Sequence, residues 1–185
     1  MSEADVGKDD ALAVEEFRAA VEDAVARLTE ASARTEALAV YEARQRKLLI
    51  MREPVLRPAG RVWRLGVLLL DADGGLHATG SVVRATEPGR TQYVSVSAET
   101  RRAYRAAAER GHFRDGETVD FDADPVPLDV ETLRDAARTG RGPLFLSDGV
   151  VRVRWSTAVA DTDARDALGY LAERVELLAH PPQGA

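Results

Sequence analysis

The sequence has no cysteine, and that absence removes disulfides, thiolate metal ligands and cysteine nucleophiles together. Lysine is nearly missing as well, with only Lys8 and Lys47, so basic charge is carried by arginine. Histidine occurs three times, as His77, His112 and His180, too far apart for any H-x-H or H-E-x-x-H zinc spacing. The longest apolar run, "GVLLL" at Gly66 to Leu70, is far too short to span a bilayer. The acidic N-terminus lacks the basic-then-apolar order of a secretory signal, so a cytoplasmic location is expected. A net charge of −6 lacks the clustered basic face that phosphate neutralisation along nucleic acid requires.

What remains is an ordinary folded composition, 45% hydrophobic and 30% charged over 185 residues. That length suits one α+β domain with an appendage. The appendage is expected at 1–53. From Asp9 to Glu53 there is neither glycine nor proline, and Val14, Phe17, Val21, Ala24, Leu28, Ala31, Thr35 and Leu38 recur in steps of three and four. Such a stripe predicts a helical arm, either a hairpin or an arm through which two copies form a homodimer. "EASART" leaves a break open, with Ser32 or Thr35 as a second N-cap. "REPVLRPAG", with two prolines and a glycine, reads as a linker over 54–60.

An α+β domain then runs over 61–180, with a tail at 181–185. Two apolar stretches around Asp71 to Gly75 predict a β-hairpin, and "TQYVSV" a further strand. Ser97 caps a helix that Gly111 stops, "ETVDFD" is a strand, and Asp129 caps "VETLRDAART". A second hairpin turns at Ser147 to Gly149, and "DARDALGYLAERVELLA" closes the chain as an amphipathic helix. The expected fold is a mainly antiparallel sheet of five to six strands with helices packed on it.

"DFDADPVPLDVE", Asp120 to Glu131, has the acidic spacing of an EF-hand loop. Its sixth residue, however, is Pro125 where the loop needs glycine, and the segment entering it is a strand. The stretch therefore reads as a strand end with Val119 and Phe121 inward and Asp120 and Asp122 outward. Asp120, Asp122 and Asp124 remain the candidates for a weaker magnesium role. No cofactor is expected.

Arg101, Arg102 and Arg105 share the first turns of one helix, and Arg152 and Arg154 alternate with apolar residues on a strand. Both sets suit a phosphate or carboxylate ligand, or solvated faces. His112, just past a helix C-terminus, fits a dipole-complementing role, and His77 lies in a strand beside the hairpin turn. They are the two candidate catalytic bases.

At "VWRLGVLLLDADGGLHATGSVVRA", "RRAYRAAAERGHFRDGETVDFDADPVPLD" and "VRVRWS…LGYLAERVELL" the chain resembles a family of small actinobacterial proteins, some of which carry the label glutaminase. The resemblance covers roughly Pro54 to Leu178 and implies an amide hydrolase, with no catalytic motif that transfers residue by residue. A serine-dependent glutaminase of the β-lactamase-like kind needs Ser-x-x-Lys, but three positions before Lys8 and Lys47 stand Asp5 and Arg44. Ser2 as an N-terminal nucleophile, or Ser81, Ser95, Ser97 or Ser156 with His77, are the arrangements left, and none lies in a G-x-S-x-G elbow. Negative chemistry and the helical arm together favour a non-catalytic domain that binds a partner protein or small ligand. Amide hydrolysis is the alternative, and a phosphate or nucleotide-metabolite module a third.

Overall fold

The computed structural model describes residues 3–47, 50–86, 96–156 and 160–182. In chain order these form α1 (Glu3–Glu30), β1 (Glu36–Glu42), β2 (Gln45–Lys47), β3 (Ile50–Arg52), β4 (Val55–Leu65), β5 (Leu68–Asp71), β6 (Leu76–Ala78) and β7 (Ser81–Arg84). There follow α2 (Val96–Arg110), β8 (Thr118–Phe121), α3 (Val130–Thr139), β9 (Leu144–Ser147), β10 (Val150–Val153), β11 (Arg165–Asp166) and α4 (Ala167–Ala179). The fold is α+β. Six strands hydrogen-bond in the order β6-β5-β4-β1-β8-β7, three more in the order β11-β10-β9, and β2 pairs with β3. The six-stranded sheet is mixed, because β1 runs parallel to β8 with Ala37 opposite Val119. Strand "TQYVSV" falls on Thr91 to Ser95, outside the described residues, and its last residue, Val96, begins α2.

The expected arm through Glu53 is corrected: its helix ends at Glu30. Ser32 takes a left-handed φ of 48°, the Ala33 N–H donates to Leu28 O and the Ser32 N–H to Thr29 O. Those two bonds close a Schellman turn, so Ser32 is the residue past a C-terminus and not a second N-cap. Beyond it "EALAVYE" alternates, with Ala37 and Ala39 buried and Val40 exposed, which is the period of a strand. The expected linker at 54–60 is likewise a strand, β4. Gly60 pairs with Leu38 and Pro58 with Ala39, so Ala59 has no opposite residue and Pro58 sits at a bulge, where a missing N–H is tolerated.

By internal packing the chain divides into two units, Met1–Arg34 with Trp63–Ala78 and Pro125–Ala185, and Thr35–Val62 with Thr79–Asp124. In the first, α1 buries Val14, Phe17, Val21, Ala24 and Leu28 in a core shared with β5, β6, β9, β10, α3 and α4. These are the first five of the eight stripe positions read as a helical hairpin or dimer arm. They are filled by this chain itself. Both expected hairpins are present here, Leu70 facing Leu76 and Val150 facing Ser147. α3 has Asp129 as N-cap and ends at Gly140, whose φ of 67° is the left-handed cap.

In the second unit α2 packs Ala107 and Ala108 against Ala37, Leu56, Val119 and Phe121. Tyr104 meets Tyr41 edge-on at 5.5 Å and Phe121 at 4.8 Å. Gly111 follows the helix where a Cβ would stand 2.0 Å from Leu56 O, so only glycine lets the helix end lie this close to β4.

Candidate functional site

The predicted site residues are distributed between the two units. Arg101 and Arg102 are exposed and Arg105 half-buried on α2, in the second unit, whereas Arg152 and Arg154 belong to the first. Arg154 is a structural staple. Its Nε and Nη2 meet the two oxygens of Asp161 at 2.5 and 2.8 Å, Nη1 donates to Arg141 O and Gly142 O, and Nη2 also donates to Ala136 O. The guanidinium lies 4.1 Å from the centre of the Phe145 ring. All five donors are thereby used, which leaves none for a ligand.

The acidic stretch is a strand end, β8 finishing at Phe121. One expectation about it fails: Asp120 is 0% exposed, not outward. It sits on an interior strand, beside Val82 of β7 and Leu38 of β1. Asp122 and Asp124 are exposed, and Glu131 lies in the first turn of α3. Among the described residues, no three His, Asp or Glu side chains gather into a group able to hold a metal ion.

His112 is exposed, with a left-handed φ of 60° and its N–H on Glu109 O, where a helix C-terminus was expected. His180 pairs through Nδ1 with Glu176 at 3.0 Å. His77 has the more developed setting. Its Nε2 lies 3.2 Å from Asp71 Oδ2, both side chains being mostly buried, while Asp71 Oδ1 accepts the N–H groups of Asp73 and Gly75. Asp71 thus shapes the hairpin turn with one oxygen and holds the imidazole with the other. A carboxylate accepts and does not donate, so the contact is a hydrogen bond when Nε2 carries a proton.

This pair lines a cleft of about 480 Å³ lying wholly within the first unit. One wall is α1, which presents Arg18, Val21 and Glu22 at i, i+3 and i+4. The β5–β6 turn and the segment Pro125–Leu128 line the rest. That segment is pinned to β6 by an antiparallel bridge between Pro125 and His77 and by the Val126 N–H on Leu76 O. Its far end is held by Asp129, which accepts from the Thr132 N–H at 2.8 Å and the Thr132 hydroxyl at 2.7 Å. Those two bonds, the backbone one first, hold the Asp129 carboxyl below its ordinary value of 3.8. Arg18, largely exposed, donates through Nη2 to Leu128 O and pairs through Nη1 with Glu15.

The cleft's partners to His77 were not singled out from sequence. Asp71 was readable in principle, because pairing Leu69 with His77 and Leu70 with Leu76 makes Asp71 the diagonal neighbour of His77 on one face. Arg18 carries no local signal of this kind. Neither Ser81 nor Ser156 lines the cleft, Ser97 lies on α2 of the second unit, and Ser95 is outside the described residues. Comparison with known proteins finds no matching family model, no matching curated protein and no matching solved structure. Among the described residues no helix is long and apolar enough to cross a membrane.

Proposed function

We propose that the protein is a non-catalytic binding domain whose ligand seat is the cleft between α1, the β5–β6 turn and Pro125–Leu128. The observation that carries this reading is the cleft itself. Its volume of about 480 Å³ lies within the roughly 300–1,000 Å³ usual for small-molecule sites, and its apolar lining from Pro125, Val126, Pro127 and Leu128 is accompanied by a few polar groups. A cytoplasmic location, expected from the sequence, belongs to the same proposal. A homodimer through the α1 stripe does not, since that stripe is buried in the chain's own core.

The test is a thermal-shift screen against amino acids, amines, phosphate metabolites and divalent metals, repeated on Glu22→Trp, which places a bulky ring at the exposed rim of the cleft. A ligand of the native state raises the melting temperature. The reading expects a rise that is lost in Glu22→Trp. A rise that persists in that variant, or a flat screen, overturns it.

The His77–Asp71 pair favours one second reading, amide hydrolysis, in which His77 Nδ1 takes a proton from a water as it attacks a carbonyl. This reading expects ammonia release from glutamine that is abolished in His77→Ala. Clean protein that releases none removes it.

A further inference from the structure

We propose that His77 is a proton-operated latch on the β5–β6 turn. With both ring nitrogens protonated it binds Asp71 and firms the turn, and on losing a proton it lets that part of the cleft lining loosen. As regulation of ligand binding this rests on the cleft being the seat, but the latch itself is measured without any ligand.

The three histidines differ in setting. His112 is exposed, and the His180 side chain is 70% exposed beside a Glu176 that is 58% exposed. The His77 side chain is 19% exposed and that of Asp71 28%, so a charge on this ring meets its counter-ion with less water to screen it. Asp71 carries the state of the ring into the backbone. Its Oδ2 faces Nε2 at 3.2 Å, while Oδ1 accepts the Asp73 N–H at 2.9 Å and the Gly75 N–H at 2.8 Å. The Asp71 N–H donates to Gly75 O and the Gly74 N–H to Asp71 O, so the turn is closed around this one residue. A Cβ on Gly75 would stand 2.4 Å from Asp71 Oδ2, which shows how closely the carboxylate lies over the turn. The backbone of His77 also pairs with Pro125, which joins the same strand to the segment Pro125–Leu128.

The strength of the His77–Asp71 contact depends on where the protons are. A neutral imidazole has one, and when Nδ1 holds it the Nε2 lone pair faces the carboxylate. Imidazolium donates from both nitrogens, so Nε2 always presents a hydrogen, and the attraction of opposite charges is added. Histidine is the side chain whose charge changes between about pH 5 and pH 8. Arg18 and Glu22 from α1 and Asp73 from the turn are the other charged groups lining the cleft, and Pro125–Leu128 carries none. Among the described residues, Asp71 is the one whose side chain lies within hydrogen-bond distance of the ring.

The test follows amide hydrogen exchange at Asp73 and Gly75 in the ¹⁵N-labelled full chain from pH 8 to pH 5. Each rate is divided by that of an unstructured peptide at the same pH, and the His77 ring is titrated in parallel by its ¹³C shifts. Protection at both amides should rise roughly twofold to tenfold toward pH 5, with the midpoint of the His77 ring itself. The rise should vanish in His77→Gln, which keeps a neutral polar side chain, and persist in His112→Gln. Should His77→Gln disturb the hairpin, the parent protein decides alone. Protection that is flat over this range, or that has a midpoint different from that of His77, overturns the latch, as does a rise that survives in a folded His77→Gln. These outcomes leave the seat untouched, since the ligand screen tests it separately.

Discussion

Arg154 grips Asp161 by two parallel bonds, Nε to Oδ1 at 2.5 Å and Nη2 to Oδ2 at 2.8 Å, and with its remaining donors closes the loop that leads into β9. The Arg154 side chain is only 10% exposed although its partner Asp161 is 45% exposed, so the guanidinium is enclosed by the protein while the carboxylate stays in contact with water. Lysine at this position offers a point charge and cannot reach Asp161 and the Arg141, Gly142 and Ala136 carbonyls at once. Arg154→Lys should cost roughly 2–3 kcal/mol of stability. The readout is a lower urea midpoint at an unchanged slope; a variant as stable as the parent would show that the network contributes nothing net.

Asp129 is expected to make the protein's stability sensitive to acid. Its carboxyl is held below 3.8 because the charged form accepts from the Thr132 backbone and hydroxyl, and the unfolded chain lacks both bonds. A depressed folded value contributes stability that is present above the unfolded value and lost as pH falls through the folded one. Replacing the N-cap by alanine should cost about 1 kcal/mol at pH 7. The gap between parent and Asp129→Ala should then narrow steadily below about pH 4, which pH-dependent urea unfolding measures. A gap constant from pH 7 to pH 2 would refute the assigned cause.

The elements that were legible in the sequence are those whose signals are local. Asp129 caps α3 at its start, and the Asp and Gly turns at Asp71–Gly75 and Ser147–Gly149 mark both hairpins. Reading failed where a residue does a job usually given to another. Ser32 fills the left-handed position that glycine most often takes, so α1 seemed to continue, and Pro58 hides β4 by occupying a bulge. Asp120 was misplaced because alternation assigns a side chain to a face, while its burial depends on what covers that face. The cleft was legible only in part. His77 and Asp71 are joined by hairpin register, whereas the bond from Arg18 to Leu128 spans 110 positions, a relation that exists only after folding.

The turn between β4 and β5 depends on one glycine and one tyrosine. Gly66 has φ of 70°, and a Cβ there would stand 2.0 Å from the Tyr170 hydroxyl. That hydroxyl accepts the Val67 N–H at 3.1 Å and donates to Leu65 O at 3.3 Å, tying α4 to the turn. Gly66→Ala combines an unfavourable backbone angle with a clash and should cost about 2 kcal/mol or more. Tyr170→Phe keeps the ring, leaves the Val67 N–H without this partner and should cost about 1–2 kcal/mol. If Gly66→Ala proved milder than Tyr170→Phe, the hydroxyl and not the backbone angle would be the dominant constraint.

The stripe on α1 makes the last prediction, and it opposes the one that a dimer arm would make. An arm can be removed while the rest stays folded, but Phe17 is 1% exposed and packs in a core with β5, β9, β10 and α4. Phe17→Ala should therefore cost about 3–5 kcal/mol, the range for emptying an aromatic position in a core. Deleting Met1 to Glu30 removes five buried apolar side chains, Val14, Phe17, Val21, Ala24 and Leu28, and should unfold the first unit outright. Near-ultraviolet circular dichroism reads this through Trp63, which is buried in the same core. A truncated chain that kept its tertiary signal and changed only its oligomeric state would restore the arm, because a helix that contributes a wall of the core cannot be deleted without exposing the other walls to water.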